Sequence, residues 1–305
     1  MDFMNIPKTD LNVSRIALGM WRLGELSTDE VEHLINAALE SGINYFDHAD
    51  IYGGGRCEAL FGEVMAKQPS LRDKMYIQSK CGIRKGYFDF SKEHIVEAVE
   101  GSLKRLHVDY LDVLLLHRPD ALVEPTEVNE AFEKLHNEGK VKYFGVSNHN
   151  SMQIELLQKY VEQRLTFNQL QFSITNSTMV KAGLNVNMEN ESAVNRDASV
   201  LDYCRLKEIT IQPWSPFQYG FAKGCFIGDE KFPELNQKLT ELAQKYNQNE
   251  SAVTLAWILR HPANMQPILG TTKPSRILDV KDACDIKLTR EEWYDIYKSA
   301  GNIIP

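Results

Sequence analysis

The chain has 305 residues, 43% of them hydrophobic and 25% charged, with a formal net charge of −8. That length suits one large α/β domain or two small ones, and the acidic balance argues against a nucleic-acid binder, which needs a basic face. No apolar run approaches the ~18–20 residues of a membrane helix, no basic-plus-apolar segment opens the chain, and the five scattered cysteines contain no C-x-x-C pair that would mark a zinc site or a disulfide framework. The expectation is a cytoplasmic protein with no membrane or nucleic-acid partner, acting as a monomer or weak homo-oligomer.

In chain order, short apolar runs alternate with amphipathic helical patterns. The strand candidates are SRIALGM (14–20), INYFDHA (43–49), KMYIQSK (74–80), LDVLLLH (111–117), VKYFGVS (141–147), TFNQLQF (166–172), ITIQPWS (209–215) and MQPILGT (265–271). Helical patterns with capping signals occupy 27–42, 91–108, 125–140, 151–163, 251–262, 273–284 and 288–300. Eight strands separated by helices predict a (β/α)₈ barrel, a single domain over residues 1–305. The rival is an open doubly wound sheet, which usually carries G-x-G-x-x-G when it binds a dinucleotide; GGGRCE (53–58) lacks the last glycine. Before the first barrel strand, MDFMNIPKTDLNVS predicts a hairpin plugging the barrel bottom. The segments 173–199 and 216–233 predict long loops at the C-terminal mouth.

Catalytic groups of such barrels sit at the C-terminal ends of strands. Asp47 ends the second strand, Lys80 the third and His117 the fourth, while Tyr52 follows Asp47 in the loop over the same mouth. Any one of them alone would read as a packing or surface residue; their succession on neighbouring strands points to a site. A Tyr hydroxyl has a pKa near 10, and a Lys ammonium beside it favours the phenolate. Asp47 would keep Lys80 charged, and a neutral His117 would orient a carbonyl, so the set is a proton donor suited to carbonyl reduction. A Schiff-base aldolase using Lys80 as nucleophile needs a neutral amine, which Asp47 opposes. A metal-dependent hydrolase built on HAD (48–50) would place Lys80 against the metal's charge, so no metal is expected. His48 reads as a packing residue on the opposite strand face from Asp47. Arg118 and Asp120 of HRPD read as a loop-shaping ion pair, and Cys81 as a small buried hydrophobe.

These residues and their surroundings resemble the aldo-keto reductase superfamily over nearly the whole chain. The blocks FDHADIYGGG, SKCG, LLLHRPD, GKVKYFGVSNH, NQLQFS and PILGTTKPSRI carry the resemblance, and the first three look closest to the bacterial YdhF-type oxidoreductases. The resemblance implies a catalytic tetrad of Asp47, Tyr52, Lys80 and His117, NADP(H) as cofactor with NADPH preferred over NADH, and a small carbonyl substrate. It implies cofactor contacts from Gly19, Met20 and Trp21, nicotinamide-carboxamide contacts from Ser147, Asn148 and Gln169, stacking by Trp214, and a pyrophosphate loop at Ser215. Gly270, Thr271 and Arg276 fall at the 2′-phosphate site, where many relatives have Lys-Ser in place of Gly270-Thr271. Trp21, Tyr52, His117 and Phe217 would line the substrate pocket. Non-catalytic potassium-channel β-subunits share the fold and are the remaining alternative.

Overall fold

The computed structural model describes residues 1–185, 199–219 and 224–302. The chain opens with a hairpin, β1 (Phe3–Asn5) against β2 (Asn12–Ser14). Eight parallel strands then form one sheet: β3 (Ala17–Gly19), β4 (Tyr45–Asp47), β5 (Tyr76–Cys81), β8 (Leu111–Leu116), β9 (Val141–Ser147), β10 (Leu165–Gln171), β11 (Thr210–Trp214) and β12 (Ile268–Leu269). Their spatial order is β11-β10-β9-β8-β5-β4-β3-β12. The ladder wraps until its two edges meet, where the Gln266 amide donates to the Ile211 carbonyl at 3.1 Å. All eight strands predicted from the sequence are present. Between β5 and β8 lies a small antiparallel pair, β6 (Ile83–Arg84) and β7 (Tyr87–Phe88).

The helices cover the outside: α1 (Thr28–Glu40), α2 (Arg56–Lys67), α3 (Lys92–Leu106), α4 (Pro125–Asn137), α5 (Ser151–Tyr160), α6 (Thr178–Leu184), α7 (Ser199–Leu206), α8 (Pro233–Tyr246), α9 (Glu250–Leu259), α10 (Pro274–Leu278) and α11 (Arg290–Ser299). Local chemistry sets their bounds. In α1, Ser27 and Glu30 form a reciprocal capping box, and Val31, Leu34, Ile35 and Ala38 supply the buried stripe. Proline occupies the first turn of α4 and α8, where its missing N–H costs nothing. The pattern over 273–284 yields only the short α10 and a separate turn at Ala283–Asp285.

Strand β8 is buried along all six residues, as expected of a parallel strand covered on both faces. Met4, Ile6, Leu11 and Val13 of the hairpin region pack on Ala17, Tyr45, Val113, Leu115, Phe167 and Ile268 inside the barrel. The Tyr143 hydroxyl donates to Asp10 at 3.0 Å, tying β9 to the turn of the hairpin. The predicted plug is therefore present and closes one end with apolar side chains. Of the two predicted mouth loops, residues 186–198 and 220–223 lie outside the described residues. The described flanks of the first contain α6 and α7 rather than loop alone.

Candidate active site

Alternation along a strand sends every second side chain to the same face. Tyr45 and Asp47 share a face on β4, Gln78 and Lys80 on β5, Phe167 and Gln169 on β10, and Gln212 and Trp214 on β11. Above the apolar plug this produces a layer of buried polar side chains, and above that the groups at the strand ends.

Lys80 is fully buried. Its ammonium donates to the Asp47 carboxylate at 2.8 Å, to the His48 carbonyl at 2.6 Å and to the Tyr52 hydroxyl at 3.0 Å. Three donors meet three acceptors, so the nitrogen is fully used as a cation. Burial works against that charge, but Asp47 and Tyr52 outweigh it and raise the Lys80 pKa. An amine held this way is not the neutral nucleophile a Schiff base requires.

Tyr52 begins a tight turn of Tyr52–Gly55. Gly53, Gly54 and Gly55 have φ of 59°, 64° and 92°, three successive left-handed residues that only glycine adopts readily. This turn carries the phenol back over the end of β5. The Tyr52 ring lies 5.9 Å from the His117 ring, edge-on at 77°, and 6.4 Å from that of Trp21. The sequence suggested that Lys80 lowers the Tyr52 pKa. The ammonium does act in that direction, but burial is the larger influence and Asp47 adds to it, so the net shift is upward. The phenol thus keeps its proton at neutral pH with a cation against its oxygen.

His117 follows β8 and is held neutral: burial first, then the charges of Lys80 and Arg118, push its pKa well below the usual value. Its Nδ1 is buried with no hydrogen-bond partner among the described residues. Arg118 does not pair with Asp120 as the sequence suggested. Asp120 instead accepts the backbone N–H groups of Phe90 at 3.0 Å and Leu122 at 2.8 Å, stitching two mouth loops together.

His48 is fully buried, its ring edge-on to Phe61 at 4.5 Å, and burial and Lys80 depress its pKa to about 3. It is a neutral packing residue, as read from the strand alternation. Burial, with the charges of Asp50 and Asp89, pushes the Cys81 thiol far up, which leaves it unreactive.

Of the residues assigned to a cofactor by resemblance, Gln169 bonds Asp47 directly, and Ser147, Asn148 and Trp214 join it through a run of hydrogen bonds. The Ser147 hydroxyl donates to the Gln169 carbonyl at 2.9 Å; Asn148 donates to the Ser147 hydroxyl at 2.8 Å and accepts from the Trp214 indole at 3.3 Å. Both amide protons of Gln169 are committed, to Asp47 at 3.1 Å and to Gln212 at 3.2 Å. Its side-chain oxygen takes no hydrogen bond among the described residues, an acceptor suited to a carboxamide N–H. Ser215 has a left-handed φ of 52°, and Phe217 in the same loop packs partly against the core. Gly270 would meet nothing within 4 Å if given a Cβ, and Thr271 accepts the Lys273 N–H at 3.1 Å. Arg276 and Lys273 are exposed on the same turn. Gly19 and Met20 fit less directly: a Cβ on Gly19 would lie 2.9 Å from Ile268, and the Met20 side chain is buried in the core. Trp21 is 48% exposed at the mouth.

Sequence reading did not single out Gln78, Gln212 or Gln266, all fully buried. The signal was present as a lone glutamine inside an apolar run: YIQSK, TIQPW and MQPIL.

The model of the aldo/keto reductase family matches residues 15–300. Oxidoreductase YdhF of Escherichia coli is 35% identical over 94% of this chain and 93% of its own length. A protein of Agrobacterium fabrum named 6-dehydroglucose reductase is 34% identical over 95% of each chain. Among solved structures, a thermostable aldo-keto reductase, Tm1743, in complex with the inhibitor epalrestat, superimposes with a TM-score of 0.79 over 98% of this chain and 100% of its own, at 22% identity.

Proposed function

Because the chain belongs to the aldo/keto reductase family, a family of oxidoreductases that typically uses NAD(P)H, we propose that it reduces an aldehyde or ketone to the alcohol with Tyr52 as the proton donor. The observation that carries this reading is the contact of one buried ammonium with both Asp47 and Tyr52, at 2.8 and 3.0 Å. Ser147, Asn148, Gln169 and Trp214 would hold the nicotinamide, and Arg276, with Lys273 near it, an adenosine 2′-phosphate, which favours NADPH over NADH. The cofactor supplies the hydride.

The chain's own residues handle the proton and the charge. Tyr52 keeps its hydroxyl proton at neutral pH and presents it to the substrate oxygen. As that proton leaves, the phenolate gains the adjacent Lys80 ammonium as a counter-ion, which lowers the cost of transfer. Asp47 keeps Lys80 charged through the cycle, and neutral His117 orients the carbonyl across from Tyr52. Trp21, His117 and Phe217 offer an aromatic wall. One relative's name points to a sugar aldehyde, so polyhydroxylated aldehydes belong among the substrates tested.

The test is a panel of simple aldehydes, ketones and sugar aldehydes, each run with NADPH and NADH side by side, reading loss of the reduced cofactor. Turnover with NADPH on at least one carbonyl class is the expected result. Cofactor binding with no turnover anywhere on the panel would instead favour a cofactor-binding subunit.

A further inference from the structure

Four buried glutamines cross the barrel beneath the site. Gln266 donates to the Ser14 carbonyl at 2.9 Å, and Gln212 donates to the Gln266 oxygen at 2.9 Å. The Gln212 oxygen in turn accepts from Gln78 at 2.9 Å and from Gln169 at 3.2 Å. Each of those two amide nitrogens gives its second proton to the same oxygen of Asp47, at 2.6 and 3.1 Å. The Tyr45 hydroxyl donates to the Gln78 oxygen at 2.8 Å. None of the four glutamines is more than 3% exposed.

We propose that Gln212 is a positioning residue, one that sets the direction of the two amides that hold Asp47 and so fixes the Asp47–Lys80–Tyr52 array. The logic is one of proton counting. An amide nitrogen has two protons, and Gln212 takes one from Gln78 and one from Gln169, which leaves the others aimed at the carboxylate. Were either amide turned over, its oxygen would face Asp47 and repel it. Water cannot replace the missing partner at this depth, and an unmet polar group there is costly. A barrel layer needs no amides for packing, because the layer below is built from Val113, Leu115 and Phe167. The same chain reaches the cofactor side, because the free oxygen of Gln169 is the acceptor assigned to the nicotinamide carboxamide. The inference rests on that assignment and on the proposed reduction.

The test is Gln212→Glu, followed across pH in the full-length protein. A protonated Glu reproduces the wild-type pattern: its carbonyl accepts both amide protons and its hydroxyl donates to Gln266. Ionised, it loses the bond to Gln266 and places a second anion near Asp47. Burial and Asp47 both raise the pKa of such a carboxyl. The variant's kcat should therefore stay near wild type at acid pH and fall roughly 10- to 150-fold as pH rises through a new ionisation, the worth of one hydrogen bond to a charged group. The NADPH Kd, read from tryptophan quenching, should rise over the same pH interval, a coincidence that packing alone would not produce. Gln212→Met, which removes the acceptor without adding charge, should lower kcat at every pH and decides the matter if the Glu variant does not fold. A pH profile parallel to wild type in the first variant, or wild-type kcat in the second, would overturn the proposal. If wild type itself reduces no carbonyl, the proposed reaction falls and this inference with it; an active wild type with indifferent variants removes this inference alone.

Discussion

Asp50 lies two residues from Tyr52 and takes no part in the tetrad, yet it is the group whose ionisation the surroundings disturb most usefully for a test. Burial and the neighbouring Glu58 raise its pKa to about 7, against weaker opposition from the Ile51 N–H, Arg105 and Lys80, and its Oδ1 is buried without a partner. Because the folded value lies above the unfolded one, the folded state holds a proton between about pH 4 and 7 that the unfolded chain has released. Stability therefore falls as pH rises through that window and stays lower above it. Asp50→Asn removes the effect. The variant's unfolding free energy relative to wild type should become more favourable from pH 4 to pH 8, by an amount bounded by about 1.4 kcal/mol per pKa unit and reduced because water still reaches part of the side chain, and the gap between the two melting temperatures should move the same way. A difference independent of pH would show that Asp50 titrates normally. A second residue-scale outcome concerns Arg276, which is exposed beside Gly270 and Thr271. Arg276→Ala should weaken NADPH binding by roughly 10- to 150-fold and leave NADH nearly unchanged; equal losses for both cofactors would mean that Arg276 does not read the 2′-phosphate. The convergence of Asp47, Tyr52, Lys80 and His117 was legible because each ends a strand or follows one. The net upward shift of Tyr52 was not, because burial outweighs a neighbouring charge only once the fold has removed the water.

At the scale of elements, the strands were easier to read than the helices. Parallel strands buried on both faces are continuous apolar runs, and all eight stand out in the sequence. Helix α8 was missed although Leu235, Leu239, Leu242 and Ala243 give it a regular buried stripe, because the Phe- and Gly-rich segment before it drew the reading toward a loop. Helix α2 opens directly from the three glycines, so its start carries no side-chain cap. Its packing is nonetheless exacting. A Cβ on Gly62 would lie 1.9 Å from the Arg105 carbonyl oxygen at the end of α3. The same Arg105 sends its guanidinium to the fully buried Glu58 of α2 at 2.8 Å, and Glu58 also accepts from Ser79 at 2.6 Å on β5. Two helices and a strand are thus locked together beneath the loop that carries Tyr52. Gly62→Ala must force α2 and α3 apart, a loss of about 3 kcal/mol or more. Thermal denaturation should show a marked drop in melting temperature, or the protein should fail to accumulate folded; an unchanged melt would mean that the two helices are not held this closely.

Across the whole molecule, the barrel is organised in layers. The N-terminal hairpin closes one end with apolar side chains, four glutamines cross the middle, and the ionisable groups stand at the open end. The outer layers were legible, the first from its turn residues and the last from strand-end charges. Apart from Gln169, the middle layer was not, because a single glutamine in an apolar run changes its composition little; only strict alternation places Gln78 with Lys80 and Gln212 with Trp214. This layering supports the proposal that a buried ammonium held by Asp47 makes Tyr52 the proton donor for carbonyl reduction. The most direct measurement is the steady-state rate of Tyr52→Phe with NADPH and a carbonyl that wild type reduces, together with NADPH binding by tryptophan quenching. The expected kcat is lower by about 10²- to 10⁴-fold with cofactor affinity nearly unchanged, since the ring and the fold remain. A Phe variant that still reduces the carbonyl at the wild-type rate would contradict it.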